Sequence, residues 1–203
     1  MTNPPPLCIE TIRVFNRKFE NLPWHEARLN RTRAALWSFA DNLTLSNLLE
    51  IPQPLDEDLY KCRVVYGNQI ERVEFEAYSP QIVQSLRLIE IKNLDYQYKY
   101  ADRSLLNAAF AQRGQAHDVL MLRDGMVTDT SYANIAFFDG QNWLTPAQPM
   151  LEGTRRAQLL ANGRIKTQKI SADDLHKFVC ARLINAMLDF DTTPTIPVAA
   201  IAL

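Results

Sequence analysis

The chain has 203 residues, 47% hydrophobic and 22% charged, with a formal net charge of −1. That is enough for one sizeable domain or two small ones, and a near-neutral balance gives no attraction to nucleic acid or an acidic membrane surface. The scattered Cys8, Cys62 and Cys180 suit neither a disulfide framework nor a zinc site, and the longest apolar runs, such as IPVAAIAL, fall far short of the ~20 residues of a membrane span.

CIETIRVF (Cys8–Phe15) alternates and is rich in β-branched residues, the pattern of a strand. NRKFENLPW then leads into a helix from about His25 to Phe39. Leu29, Leu36 and Ala40 keep its helical spacing, while Arg28, Arg31 and Arg33 decorate other faces. YKCRVVYGNQIERVEFEAY reads as two strands around GNQ. SPQ at Ser79–Gln81 is the expected linker, dividing a small N-terminal α+β domain (1–80) from a larger one (81–203) that carries Lys99.

SLRLIEIK is the next strand, followed by a helix from about Asp102 to Arg113 that Gly114 ends. HDVLML, MVTD, NIAFF and WLT form an antiparallel meander with Asp-Gly turn chemistry. A helix opens after Gly153 and closes at Gly163; RIKTQKI is a strand, SADDLHKF a short helix with Ser171 as N-cap, and VCARLIN a last strand. Antiparallel strands mixed with helices give an α+β fold with two subdomains.

The sequence lacks a GxGxxG fingerprint, a phosphate loop, HExxH, a CxxC pair and a G-x-S-x-G elbow, and its three histidines share no ligand spacing. What remains is a set of polar features at element ends. Lys99 follows Tyr96 and Tyr98 and precedes Tyr100; taken alone it is a surface lysine beside tyrosines, or else an amine suited to a Schiff base. Gly153–Thr154–Arg155–Arg156 is either a plain helix start with solvated arginines or a seat for a phosphate. Asp129 opens a polar run, Asp129, Thr130, Ser131, Tyr132 and Asn134, where a loop aspartate ordinarily caps a turn. An imine-forming lysine, a carboxylate for a ring nitrogen and a helix start for a phosphate are together the requirements of pyridoxal phosphate.

In this order the motifs resemble the class IV aminotransferase family, the fold-type IV pyridoxal-phosphate enzymes. ETIRVFNRKFENLPWHEARL is similar to the family's opening strand, turn and helix with its His-x-x-Arg-Leu signature, which implies that Arg28 binds the cofactor phosphate. YKYADRSLL resembles the segment of the Schiff-base lysine, implying Lys99. VTDTSYAN looks like Val-Thr-Glu-x-x-x-x-Asn, placing Asp129 at the pyridine nitrogen, one methylene shorter than the usual glutamate, and Asn134 at the closing asparagine. MLEGTRRAQLL is similar to Leu-x-Gly-Ile-Thr-Arg, which puts Thr154 and Arg155 at the phosphate, and INAM adds Asn185 and Ala186.

The resemblance implies pyridoxal 5'-phosphate as cofactor, an amino substrate, Cα proton abstraction with Lys99 as general base and acid, and a homodimer. The scattered cysteines argue for reduced thiols and a cytoplasmic home, and charge, spacing and hydropathy suggest no metal, nucleic acid or membrane partner. The family also has extra strands before ETIR, so the small domain is expected to be reduced. KYADR and INAM lean toward 4-amino-4-deoxychorismate lyase; a branched-chain or D-amino-acid aminotransferase is the alternative, and a non-catalytic cofactor binder is a third reading of another class.

Overall fold

A computed structural model describes residues 6–39, 41–54, 58–92 and 95–202. They form two compact units, one from the first 80 residues together with Tyr98–Asp102, the other from Gln81–Gln97 and Arg103–Leu203. Lys99 thus falls with the N-terminal unit, not with the C-terminal domain expected to carry it. The cause is backbone pairing: the Ile9 N–H donates to the Lys99 carbonyl and the Ala101 N–H to the Leu7 carbonyl, both at 2.8 Å.

In the first unit, β1 (Cys8–Phe15), β2 (Lys18–Phe19), α1 (Leu22–Trp37), α2 (Leu45–Leu48), β3 (Leu59–Tyr66) and β4 (Ile70–Ala77) follow one another. The strands form one antiparallel sheet in the order β2-β1-β3-β4. Because strand side chains alternate in direction, Cys8, Ile12 and Val14 of β1 join Cys62, Val64 and Tyr66 of β3 in a core that takes Leu29 of α1 and Leu45 of α2. Glu10 occupies the same alternating row and is completely buried.

Pro23 lies in the first turn of α1, where its missing N–H costs nothing, and a left-handed Ser38 (φ 59°) ends the helix. The buried residues of α1 are His25, Arg28, Leu29, Thr32 and Arg33, spaced three and four apart. Arg28 and Arg33 therefore share the buried face with Leu29, against the expectation that they decorate other faces; Arg31 is exposed, and Ala40 lies outside the described residues. Arg33 gives its Nε–H to the Asn68 carbonyl at 2.9 Å and an Nη1–H to the Asp41 carbonyl at 2.8 Å. Loop carbonyls thus consume this cation, and it works as a structural clamp.

The second unit contains β5 (Leu86–Glu90), α3 (Ser104–Phe110), β6 (Asp118–Arg123), β7 (Met126–Thr130), β8 (Asn134–Phe138), β9 (Trp143–Pro146), α4 (Thr154–Ala161), β10 (Lys166–Gln168), β11 (Cys180–Ile184), β12 (Ile196–Pro197) and β13 (Ile201–Ala202). They build two sheets, β13-β5-β6-β7 and β10-β9-β8-β11-β12. Three pairings are parallel: β5 with β6, β5 with β13, and β9 with β10.

The tight turn between β6 and β7 is built on Asp124 (φ 52°) and Gly125 (φ 72°), both left-handed as a type I′ hairpin requires. The expected meander, however, breaks at residues 131–133, where the chain leaves one sheet and enters the other. The crossing is held by Thr130, whose N–H donates to the Ala133 carbonyl at 2.9 Å and whose Oγ1 accepts the Ala133 N–H at 3.2 Å. Along β8, Ile135 and Phe137 enter a core with Leu120, Val127 and Leu183, while Ala136 turns to the other face, against Leu159 of α4. Asn134 belongs by alternation to that second face. β8 is buried on both faces, which is why NIAFF reads as a continuous apolar run.

Candidate functional site

The sequence-predicted residues fall into two clusters, one in each unit. In the N-terminal unit the centre is Glu10. Its Oε1 accepts the Arg28 Nε–H at 2.9 Å; its Oε2 accepts an Arg28 Nη2–H at 2.5 Å and faces His25 Nδ1 at 2.6 Å. His25 and Arg28 are three apart on α1, so one helical face delivers both.

Burial alone would raise the Glu10 carboxyl, but the Arg28 guanidinium and then His25 overcome it and hold the group well below the usual carboxylate range. Burial likewise drives the His25 pKa down, outweighing the hydrogen bond to Glu10, with Arg28 and Lys99 adding repulsion. His25 is therefore neutral at pH 7, its Nδ1–H donating to the carboxylate. Lys99 is half-buried, and its backbone is fixed beside β1 by the bond from Ile9.

In the C-terminal unit the centre is Asp129, 4% exposed at the end of β7. Its Oδ1 accepts the Asn134 Nδ2–H at 2.6 Å, and its Oδ2 accepts the Met150 and Leu151 N–H groups at 2.8 and 3.0 Å. The remaining Asn134 amide proton goes to the Leu151 carbonyl at 2.9 Å. Burial dominates these bonds and raises the Asp129 carboxyl to about 6, with Arg156 pulling the other way through space.

Gly153, the residue before α4, sits hard against Asn134: a Cβ there would lie 2.0 Å from Oδ1. Among the described residues no side-chain hydrogen bond caps α4, and first-turn amides are the groups an anion meets at a helix start. Thr154 is buried at that start.

Arg155 turns along its own helix, its Nη1–H donating to Gln158 Oε1 at 2.8 Å, so its backbone N–H, not its guanidinium, belongs to the helix start. Arg156, buried, donates to Thr145 Oγ1 at 3.3 Å and to the Pro146 carbonyl at 2.7 Å, tying α4 to β9. Ile184, the last residue of β11, pairs with Asn134, so Asn185 and Ala186 follow directly at the strand end beside it. The Asn185 Oδ1 accepts the N–H groups of Met187 and Leu188 at 2.9 and 3.1 Å, which shapes that turn from within.

The polar run from Asp129 to Asn134 is thus largely satisfied by the protein itself, with Arg103 adding an Nη2–H to the Ser131 carbonyl at 2.9 Å. Sequence reading assigned no role to Glu10 or His25, and it set Arg156 with Arg155 as solvated or as part of a phosphate seat, whereas Arg156 is buried on β9. Glu10 carried a signal, a carboxylate in the inward register of an otherwise apolar strand row. His25 sits three residues before Arg28 on the same helical face. Arg156 carried none that separates it from Arg155.

Residues 7–201 match the sequence model of amino-transferase class IV. An uncharacterized protein of Haemophilus influenzae is 33% identical over 180 residues, 88% of this chain and 96% of its own. The structure of a candidate 4-amino-4-deoxychorismate lyase from Haemophilus somnus aligns with TM-score 0.82 at 27% identity, over 90% of this chain and 96% of that one. The PLP-bound form of a hypothetical aminotransferase from Mycobacterium tuberculosis shares the fold at TM-score 0.72 and 17% identity, over 97% of this chain and 81% of that one. The fold is that of the fold-type IV pyridoxal-phosphate enzymes. With residues 7–201 matched and a relative 33% identical over nearly its whole length, the chain belongs to the class IV aminotransferase family.

Proposed function

We propose that the protein is a pyridoxal-phosphate enzyme acting on the primary amine of a small amino substrate, with 4-amino-4-deoxychorismate lyase chemistry favoured over transamination. The observation that carries the cofactor reading is Asp129: a buried carboxylate held by N–H dipoles, raised by burial, and lacking a cation in hydrogen-bond contact among the described residues. A protonated ring nitrogen is the partner such a group suits. The tight packing of Gly153 on Asn134 and the uncapped start of α4 fit a phosphate on backbone amides.

Bound pyridoxal phosphate supplies an electron sink for charge developing at the substrate Cα. The chain's own residues would do the rest. Lys99 would hold the cofactor through its amine and would carry the Cα proton as general base and acid. Arg28 offers guanidinium N–H groups to the phosphate, and Thr154 and Arg155 offer backbone N–H groups. Asp129 keeps the ring nitrogen protonated, and Asn134 fixes the Asp129 carboxylate. Asn185 and Ala186 border Asn134 at the end of β11 and complete the phosphate side. A two-fold homodimer is part of this proposal; a loaded protein that runs as a monomer in light scattering would contradict it.

The lyase preference rests on the near end-to-end match to the Haemophilus somnus chain, 96% of which is covered, and on the KYADR and INAM segments. A lyase needs one amino substrate and no second amino-acid half-reaction. The test is incubation with aminodeoxychorismate and, separately, with L- and D-amino acids plus 2-oxoglutarate. Release of 4-aminobenzoate and pyruvate is expected. Conversion of the cofactor to pyridoxamine phosphate without 4-aminobenzoate would reverse the choice to a transaminase. Purified protein is expected to be yellow, and borohydride should fix the cofactor on the peptide containing Lys99; a protein that stays colourless with added cofactor refutes the reading.

A further inference from the structure

Glu10 stands between Thr11 and Ile9 in β1, in the row that sends Cys8, Ile12 and Val14 into the core. A carboxylate there is costly unless it is paired and its lone pairs are filled. Both conditions are met: one oxygen takes Arg28 Nε–H, the other takes Arg28 Nη2–H and the His25 Nδ1–H. Two parallel bonds to one carboxylate fix the guanidinium plane as well as its position.

A free arginine side chain samples many rotamers. The fork removes that freedom when the chain folds, so a ligand does not have to. His25, neutral and buried, braces the same carboxylate from one helical turn earlier and adds no charge.

Two effects of Glu10 on an anion oppose each other. Its negative charge repels a phosphate, and its geometry prepares the cation that binds one. We propose that geometry wins: Glu10 is the positioning residue of the phosphate arm, aligning Arg28 for the cofactor's phosphate, with His25 as its brace. The inference rests on the cofactor reading above and deepens it.

The opposition of signs makes the test sharp. Dissociation constants for pyridoxal phosphate and for pyridoxal, which has the aldehyde but no phosphate, are measured on cofactor-free wild type, Glu10→Gln and Glu10→Asp. Positioning predicts that Glu10→Gln weakens pyridoxal phosphate by about tenfold or more, the scale of a charge-assisted bond lost or misaligned. Pyridoxal affinity stays at the wild-type level, and Glu10→Asp, which keeps the charge, recovers part of the loss. A purely electrostatic role predicts the reverse, tighter phosphate binding once the charge is gone, and would overturn the proposal. An unchanged ratio of the two affinities overturns it as well, as does failure of both variants to fold, which would make Glu10 a fold determinant only. Wild type that binds neither ligand refutes the cofactor reading itself, and this inference with it; wild type that binds normally while the ratio stays fixed refutes the positioning role alone.

Discussion

The two units each bury one carboxylate at the centre of their cluster, and they treat it in opposite ways. Glu10 is met by a cation, and its pKa is held down despite complete burial. Asp129 is met by three N–H groups at 2.6–3.0 Å, and burial still pushes it up to about 6. Burial sets the cost in both; the charge of the partner sets the sign. Glu10 has a full positive charge in hydrogen-bond contact, whereas Asp129 has only N–H dipoles there, which is why the proposed pyridinium suits the second and not the first.

The largest expected effect comes from making the first cluster resemble the second. Arg28→Met leaves Glu10 buried without its cation, a change that typically costs about 3–5 kcal/mol. Urea unfolding at pH 7 and pH 5 checks it. The loss should be greater at pH 7, because an uncompensated Glu10 becomes protonated as the pH falls. Equal losses at both pH values would show that Glu10 does not depend on Arg28 for its charge.

Next in size is the pH dependence of the cofactor-free protein. Asp129 has a folded pKa of about 6 against an ordinary 3.8, so its protonated form is favoured by folding. Its contribution is fully present below the unfolded value and is lost as the pH rises through about 6. A shift of this size corresponds to roughly 3 kcal/mol. Glu10 has the opposite sign: its contribution is present above the ordinary 4.5 and is lost as the pH falls through the lowered folded value. Chemical unfolding of wild type and Asp129→Asn across pH 4–7 should show a falling limb in wild type that the variant lacks. Adding cofactor should flatten the same limb in wild type.

Asp129→Asn also tests the loaded protein. A neutral partner no longer holds the ring nitrogen protonated, and a loss of about 10²-fold in turnover is expected, the scale of ~3 kcal/mol in a barrier. The cofactor should stay bound, because the change leaves untouched the residues proposed for its phosphate. Normal turnover would mean that another group faces the ring nitrogen.

How far the sequence disclosed this depended on whether a feature was local. β1 was legible to the residue from its alternation, and the Ser171 cap from its chemistry, since Asp174 three residues on returns the bond to the Ser171 N–H at 2.9 Å. The inward arginines of α1 were not legible. Arg28 and Arg33 look solvated because their partners, Glu10 and the Asn68 and Asp41 carbonyls, lie 18, 35 and 8 residues away. Periodicity assigns a side chain to a face but does not say what covers that face. The break between β7 and β8 was hidden for the same reason: strand patterns on both sides of 131–133 fit one sheet or two. Motif resemblance pointed to Asp129 and Asn134, but their bond to each other, and the bonds that bring in residues 150 and 151, needed coordinates.

The smallest effect probes the second cluster without touching its charge. Gly153 has φ −68° and ψ 139°, an ordinary extended conformation, so alanine meets no backbone strain there. What it meets is Asn134, with Oδ1 at 2.0 Å and Cγ at 3.2 Å from the new Cβ. A short side chain could normally turn aside, but this amide is held by its bonds to Asp129 at 2.6 Å and to the Leu151 carbonyl at 2.9 Å. Making room therefore means losing a donor to Asp129 or shifting the start of α4, and overpacking of this kind costs about 1–3 kcal/mol. Thermal unfolding of Gly153→Ala, Asn134→Ala and the double variant measures the coupling. Once Asn134 is truncated the clash is gone, so the double variant should be more stable than the sum of the single losses implies. Strict additivity would show that Asn134 yields without cost, and that Asp129 is not held through it.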